Sequence, residues 1–140
     1  MSVGKICSRI VYTARPDETV VEAARRMKEH GVGSLVVLDE DRRPMGILTD
    51  RDVAMRCVAE GIDAEATEVR DVMSLPVTAM DEDAPIESAL QSMAATSTRR
   101  EPVVDDQGKL VGLLALDDVL SLLVEEAESI GKLLHSQTPH

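Results

Sequence analysis

A chain of 140 residues with 44% hydrophobic and 29% charged residues has the balance of one compact globular unit rather than a disordered segment. Its 26 acids against 15 bases, a formal net charge of -11, repel a nucleic-acid backbone, and a single aromatic residue, Tyr12, leaves nothing for base stacking. No apolar run approaches the roughly 18 residues of a membrane span, so neither nucleic acid nor a membrane is an expected partner.

The N-terminal stretch MSVGKICSRIVYTARPDE has no continuous apolar run before a small-residue cleavage site, which predicts a cytoplasmic protein. Cys7 and Cys57 are too few for a disulfide scaffold and read as buried small hydrophobes. A short strand is predicted around Val11 to Thr13. In TVVEAARRMKEHG, Thr19 and Glu22 have capping-box spacing, Val20, Ala23, Ala24 and Met27 share a helical face, and Gly31 ends the helix. SLVVLD and PMGILT, joined by the turn-like EDRR, read as a hairpin, and DRDVAMRCVAEG reads as a second helix.

The same order then recurs. A shift of 66 positions aligns Val11–Val53 with Val77–Val119 without a gap, and ten of the 43 pairs are identical, among them Gly46/Gly112, Leu48/Leu114 and Asp52/Asp118. In the second copy Asp83 is the expected N-cap, with Pro85 in the first turn of the helix. PVVDD and KLVGLLA form the second hairpin, and LDDVLSLLVEEAESIGKLL is a helix longer than its counterpart. A strand-helix-strand-strand-helix unit leaves its sheet half uncovered, and two units bury those faces against each other.

The duplication, with VRDVMSLPVTAMDEDAPIESALQSM, REPVVDDQGKLVGLL and GILTDRDV, resembles the tandem CBS-domain pair, or Bateman module, over about Val3 to Leu123. Its most diagnostic element is the pattern G-h-x-T/S-x-x-D/N, where h is hydrophobic. The resemblance implies an α+β fold of two β-α-β-β-α repeats packed pseudo-symmetrically, over residues 3–66 and 67–124, with a helical extension and tail at 125–140. It also implies the stand-alone bacterial type, a non-catalytic sensor of an adenosine-containing ligand (AMP, ADP, ATP, NAD or S-adenosylmethionine) bound between the repeats. The adenine nucleotide is expected as a regulatory ligand rather than a required cofactor. A homodimer and an unidentified effector protein are the expected partners.

In GILTDRD, Gly46 permits close packing where the strand ends, and the helix start presents free N–H groups to a phosphate. Thr49 adds a hydroxyl and Asp52 a carboxylate suited to ribose hydroxyls. Thr49 and Asp52 also fit a capping box worth about 1 kcal/mol with no ligand present. In the second copy the cap position is Ala115, which excludes that box, yet Asp118 is retained.

By resemblance, one site combines Thr49, Arg51 and Asp52 with Thr78, Ala79, Thr98 and Arg99, and the other combines Asp118 with Thr13, Ala14, Val32 and Gly33. The first is expected to be the stronger nucleotide site, since Ala115 and Asp117 replace Thr49 and Arg51 in the second. Arg99 and Arg100 either neutralise a phosphate or balance an acidic surface. Glu101 stands where the family has an apolar residue, and Val36 where the second copy has Pro102.

Of the histidines, His30, His135 and His140, two lie in the tail, which argues against a histidine-based catalytic or metal site. Hairpin turns account for the acids of DEDRR and DDQG better than calcium binding does. The alternative function is a ligand-free interaction or stress-response module acting through a protein partner. A small hydrolase or transferase lacks both a nucleophile-base pair and a metal set.

Overall fold

The computed structural model describes residues 1–75 and 77–137. His140, and with it the end of the expected tail, lies outside the described residues.

The first repeat forms β1 (Thr13–Ala14), α2 (Val20–His30), β2 (Ser34–Leu38) and β3 (Pro44–Thr49), preceded by a short helix α1 (Val3–Ile6). β1 pairs parallel with β2 and β2 antiparallel with β3, giving a three-stranded sheet. α3 (Asp50–Asp52) runs on into a π-helical stretch, Val53–Val58. The second repeat repeats the plan with β4 (Met80–Asp81), α4 (Ile86–Thr96), β5 (Arg100–Val104), β6 (Leu110–Ala115) and α5 (Leu116–Gln137). This is the expected α+β pair of repeats.

Local chemistry explains most boundaries. The Thr19 hydroxyl accepts the Glu22 N–H, and α2 stops at Gly31, whose φ of 62° suits a residue without Cβ. The hairpin acids are turn residues, as expected: Asp39 accepts the Asp41 and Arg43 N–H groups, and Asp105 accepts those of Gln107 and Lys109. One expected boundary is corrected. α4 is capped at Pro85 with no side-chain bond, because the 66-residue offset sets Pro85, not Asp83, opposite Thr19. Asp83 instead sits in the preceding turn, its N–H on the Asp81 carboxylate.

Each repeat has its own aliphatic core, and a third cluster of Val36, Leu38 and Leu110 lies between the sheets. The segment that leads into each repeat packs in the core of the other one. Val3 and Cys7 belong to the second core, tied by the Val3 N–H to Ala84 O and by a Ser8–Leu113 bridge. Val69, Val72 and Met73 belong to the first core, tied by an Ile47–Ser74 bridge.

Both strand glycines sit under these crossing segments. A Cβ on Gly112 would stand 2.6 Å from Cys7 Sγ and 2.7 Å from Ser8 O, and one on Gly46 would stand 2.6 Å from Met73 Sδ. The two cysteines are free and buried in different cores, Cys7 in the second and Cys57 in the first. Among the described residues no helix is long and apolar enough to cross a membrane.

Candidate functional site

The crossing of the leading segments creates a cavity of about 700 Å³ between the repeats. That is ample for a small organic ligand, for which pockets of about 300–1,000 Å³ are usual. Thr49, Arg51 and Arg56 line it from the first repeat, Ser74 and Thr78 from the connecting segment, and Thr98, Arg99 and Arg100 from the second repeat. Of the residues expected in the first site, Thr49, Arg51, Thr78, Thr98 and Arg99 line one cavity. Ala79 is exposed just beyond its lining.

Asp52 stands behind the wall rather than on it. It is 7% exposed, and its carboxylate accepts the Thr49 N–H at 3.0 Å while the Thr49 hydroxyl accepts the Asp52 N–H at 3.0 Å, a complete capping box. The Ser74 hydroxyl lies 2.9 and 3.0 Å from the two carboxylate oxygens, and Arg56 Nε lies 3.9 Å away. Arg56 also donates to Met73 O at 2.9 Å, so it clasps the connecting segment as well as the acid. Sequence reading overlooked Ser74. The 66-residue offset continues below Val11, setting Val3 opposite Val69 and Ser8 opposite Ser74, and that extension is the signal that marks it.

The cations of the cavity differ in their freedom. Arg99 forms an exposed ion pair with Asp117 at 3.2 Å. Neither the Arg51 nor the Arg100 guanidinium has an ion-pair partner among the described residues, although both belong to a chain with net charge -11. Glu101, on the same wall, is 1% exposed with no hydrogen-bond partner for either oxygen. Burial pushes its carboxyl up from the ordinary glutamate range.

The second set of expected residues is arranged otherwise. Asp118 is exposed at the start of α5, and no hydrogen bond or ion pair among the described residues joins it to Thr13, Ala14, Val32 or Gly33. Ala14 and Val32 pack on the first core. Thr13 O accepts from Arg26, and Gly33 O accepts the Asp50 N–H. The Ser8 hydroxyl bonds Ile10 O, where its counterpart Ser74 holds Asp52. No group of three His, Cys, Asp or Glu side chains among the described residues is placed to hold a metal ion.

The CBS-domain family model matches residues 3–58 and 69–125. An uncharacterized protein of Methanopyrus kandleri is 41% identical over 122 residues, 87% of this chain but 62% of that protein. A CBS domain-containing protein of Bacillus subtilis is 42% identical over 109 residues, 78% of this chain and 76% of the relative. Among solved structures, a CBS domain pair in complex with 5′-methylthioadenosine and S-adenosyl-L-methionine superposes with a TM-score of 0.78 at 26% identity, covering 90% of this chain and 98% of that one. Duplicated sheets, the motif at the first strand-to-helix junction with Gly112 and Asp118 retained at the second, and a cavity between the repeats agree with these matches: the chain belongs to the CBS-domain family and carries the domain twice.

Proposed function

We propose that this protein is a non-catalytic regulatory module that binds an adenosine-containing ligand in the cavity between its repeats, and that a phosphorylated adenosine is preferred there. The observation that carries the reading is a pair of guanidiniums with no ion-pair partner among the described residues, Arg51 from one repeat and Arg100 from the other, on the wall of one cavity. An arginine without an acidic partner in a chain this acidic is poised for an external anion, and a phosphate accepts from two guanidiniums at once. Arg99, Thr49 and Thr98 add donors on the same wall.

A ligand held by both repeats favours one arrangement of them, and that population shift is the regulatory output. The acting form is a cytoplasmic homodimer, and an effector protein reads the shift. The site built on Asp118 is the weaker one, because its acid is exposed and its cap position is Ala115. A ligand-free interaction module is the second reading, favoured by the Asp52 carboxylate already being engaged by Thr49 and Ser74.

Thermal unfolding with AMP, ADP, ATP, NAD and S-adenosylmethionine separates the two. A ligand at 100 times its dissociation constant stabilises by about 2.7 kcal/mol. Stabilisation by the phosphorylated ligands that is lost in Arg51→Ala and Arg100→Ala supports the sensor. A flat panel, with a stable protein partner in a pull-down, supports the interaction module.

A further inference from the structure

Glu101 breaks the pattern of the core it occupies. On β5 it stands opposite Leu114, at the place where Leu35 faces Leu48 in the first repeat. An acid has thus taken an aliphatic position, 1% exposed, with neither oxygen in a hydrogen bond among the described residues. The Ser92 hydroxyl on α4 faces it outside hydrogen-bond geometry. The counterpart of Ser92 on α2 is Arg26, which clasps Glu18 at 2.6 Å, so at this place the second repeat carries a hydroxyl where the first carries a guanidinium.

The titratable groups on the surrounding elements do not neutralise it. Asp81 on β4, Glu87 on α4, and Asp117 and Asp118 on α5 are all exposed, and β6 carries none. Across the cavity the charged residues are Asp50, Arg51 and Arg56, also exposed. None of these bonds to Glu101. An unpaired carboxylate in such a place is costly, so burial lets the group keep its proton to higher pH than an exposed glutamate does.

Glu101 also belongs to the cavity wall, directly after Arg99 and Arg100 in the chain. We infer that binding of a phosphorylated ligand in this cavity is coupled to protonation of Glu101. A phosphate drawn to Arg51 and Arg100 adds negative charge to the cavity wall that holds this carboxyl, which is shielded from water, and so favours its protonated form. At pH values between the pKa of this carboxyl in the free protein and its higher pKa in the complex, up to one proton passes from solvent to a Glu101 oxygen as the ligand enters and returns on release. By linkage, protonation of Glu101 raises phosphate affinity by the same factor. S-adenosylmethionine carries no phosphate and draws no such uptake.

The inference rests on the proposed nucleotide reading, and the test separates the two. Titration calorimetry with AMP, ADP and ATP, in buffers of different ionisation heat, measures protons taken up per ligand for the wild type, Glu101→Gln and Glu101→Leu. Protonation of the phosphate itself is common to all three proteins and cancels. The wild type is expected to take up more protons than either variant, and to gain about five-fold more affinity than Glu101→Gln as pH falls through the range in which Glu101 takes up its proton. Tight binding with equal proton uptake in all three proteins overturns the coupling alone. Absence of binding by every one of these nucleotides overturns the nucleotide reading and the coupling with it. Glu101→Leu, which restores the residue type of Leu35, keeps the comparison available if Glu101→Gln folds poorly.

Discussion

The Ser74 hydroxyl and the Asp52 carboxylate, 2.9 and 3.0 Å apart, join the segment leading into the second repeat to the motif helix of the first. Removing the hydroxyl leaves a buried carboxylate short of a donor, a loss of about 1–2 kcal/mol. Ser74→Ala and Asp52→Ala are both expected to destabilise, and the double variant to be no worse than Asp52→Ala alone. Additive losses in urea melts are the outcome that contradicts a direct bond.

Gly46 and Gly112 occupy equivalent places in the two repeats, yet alanine has different consequences at each. At Gly112 the new methyl meets the Ser8 carbonyl at 2.7 Å, and backbone cannot step aside. At Gly46 the shortest contact is the sulfur of Met73, the movable end of a side chain, and Ser74 O stands off at 3.3 Å. Gly112→Ala is expected to cost about 3 kcal/mol and Gly46→Ala about 1 kcal/mol. Equal thermal shifts in the two variants contradict this account.

Glu18 and Arg26 form a half-buried pair that also carries Thr13, since Arg26 donates to Thr13 O. Burial pushes the Glu18 carboxyl up, but the Arg26 guanidinium and the Arg15 N–H outweigh it and hold the acid below the usual range. A carboxyl depressed by folding contributes stability above its unfolded pKa and loses it as pH falls through the folded one. Glu18→Gln is therefore expected to cost about 1 kcal/mol at pH 7. The gap from wild type closes as the medium is acidified below about pH 4. Melts of both proteins across that range provide the check, and a gap that persists at low pH speaks against the pair.

Glu101 has the opposite sign. Folding raises its carboxyl, so between the unfolded and folded pKa the native state holds a proton that the unfolded chain has released, and stability falls as pH rises through that window. Glu101→Leu is expected to stabilise by about 1–3 kcal/mol at neutral pH and to flatten this dependence. The midpoint of urea unfolding at pH 5 and pH 8, with an unchanged m-value, measures it. A variant less stable than wild type at both values contradicts the cost assigned to this acid.

The duplicated motif and the alternation of helix and strand were legible because they follow local rules. Thr19 caps α2, Gly31 ends it, and the turn acids Asp39 and Asp105 bond their own backbone. The joining of Thr49 and Arg51 to Thr98 and Arg99 followed from the family resemblance. The destination of the leading segments was not legible, because nothing in VGKIC or VRDVM says which of two similar cores receives it. The Thr49–Asp52 box was readable from spacing, whereas the third partner, Ser74, lies 22 positions from Asp52 and arrives only through that crossing. Glu101 could be recognised as misplaced but not as unpartnered, since only packing shows that Ser92 fails to bond it.

The crossed leaders also set an order in time. Val3 and Cys7 are synthesised well before the sheet and helices that receive them, which end with Leu114 and Val119. At synthesis rates of about 5–20 residues per second, that segment stays unseated for on the order of 5–20 seconds. Meanwhile Val69, Val72 and Met73 can already close the first core, so the first repeat has a folded core before the segment leading into it is seated.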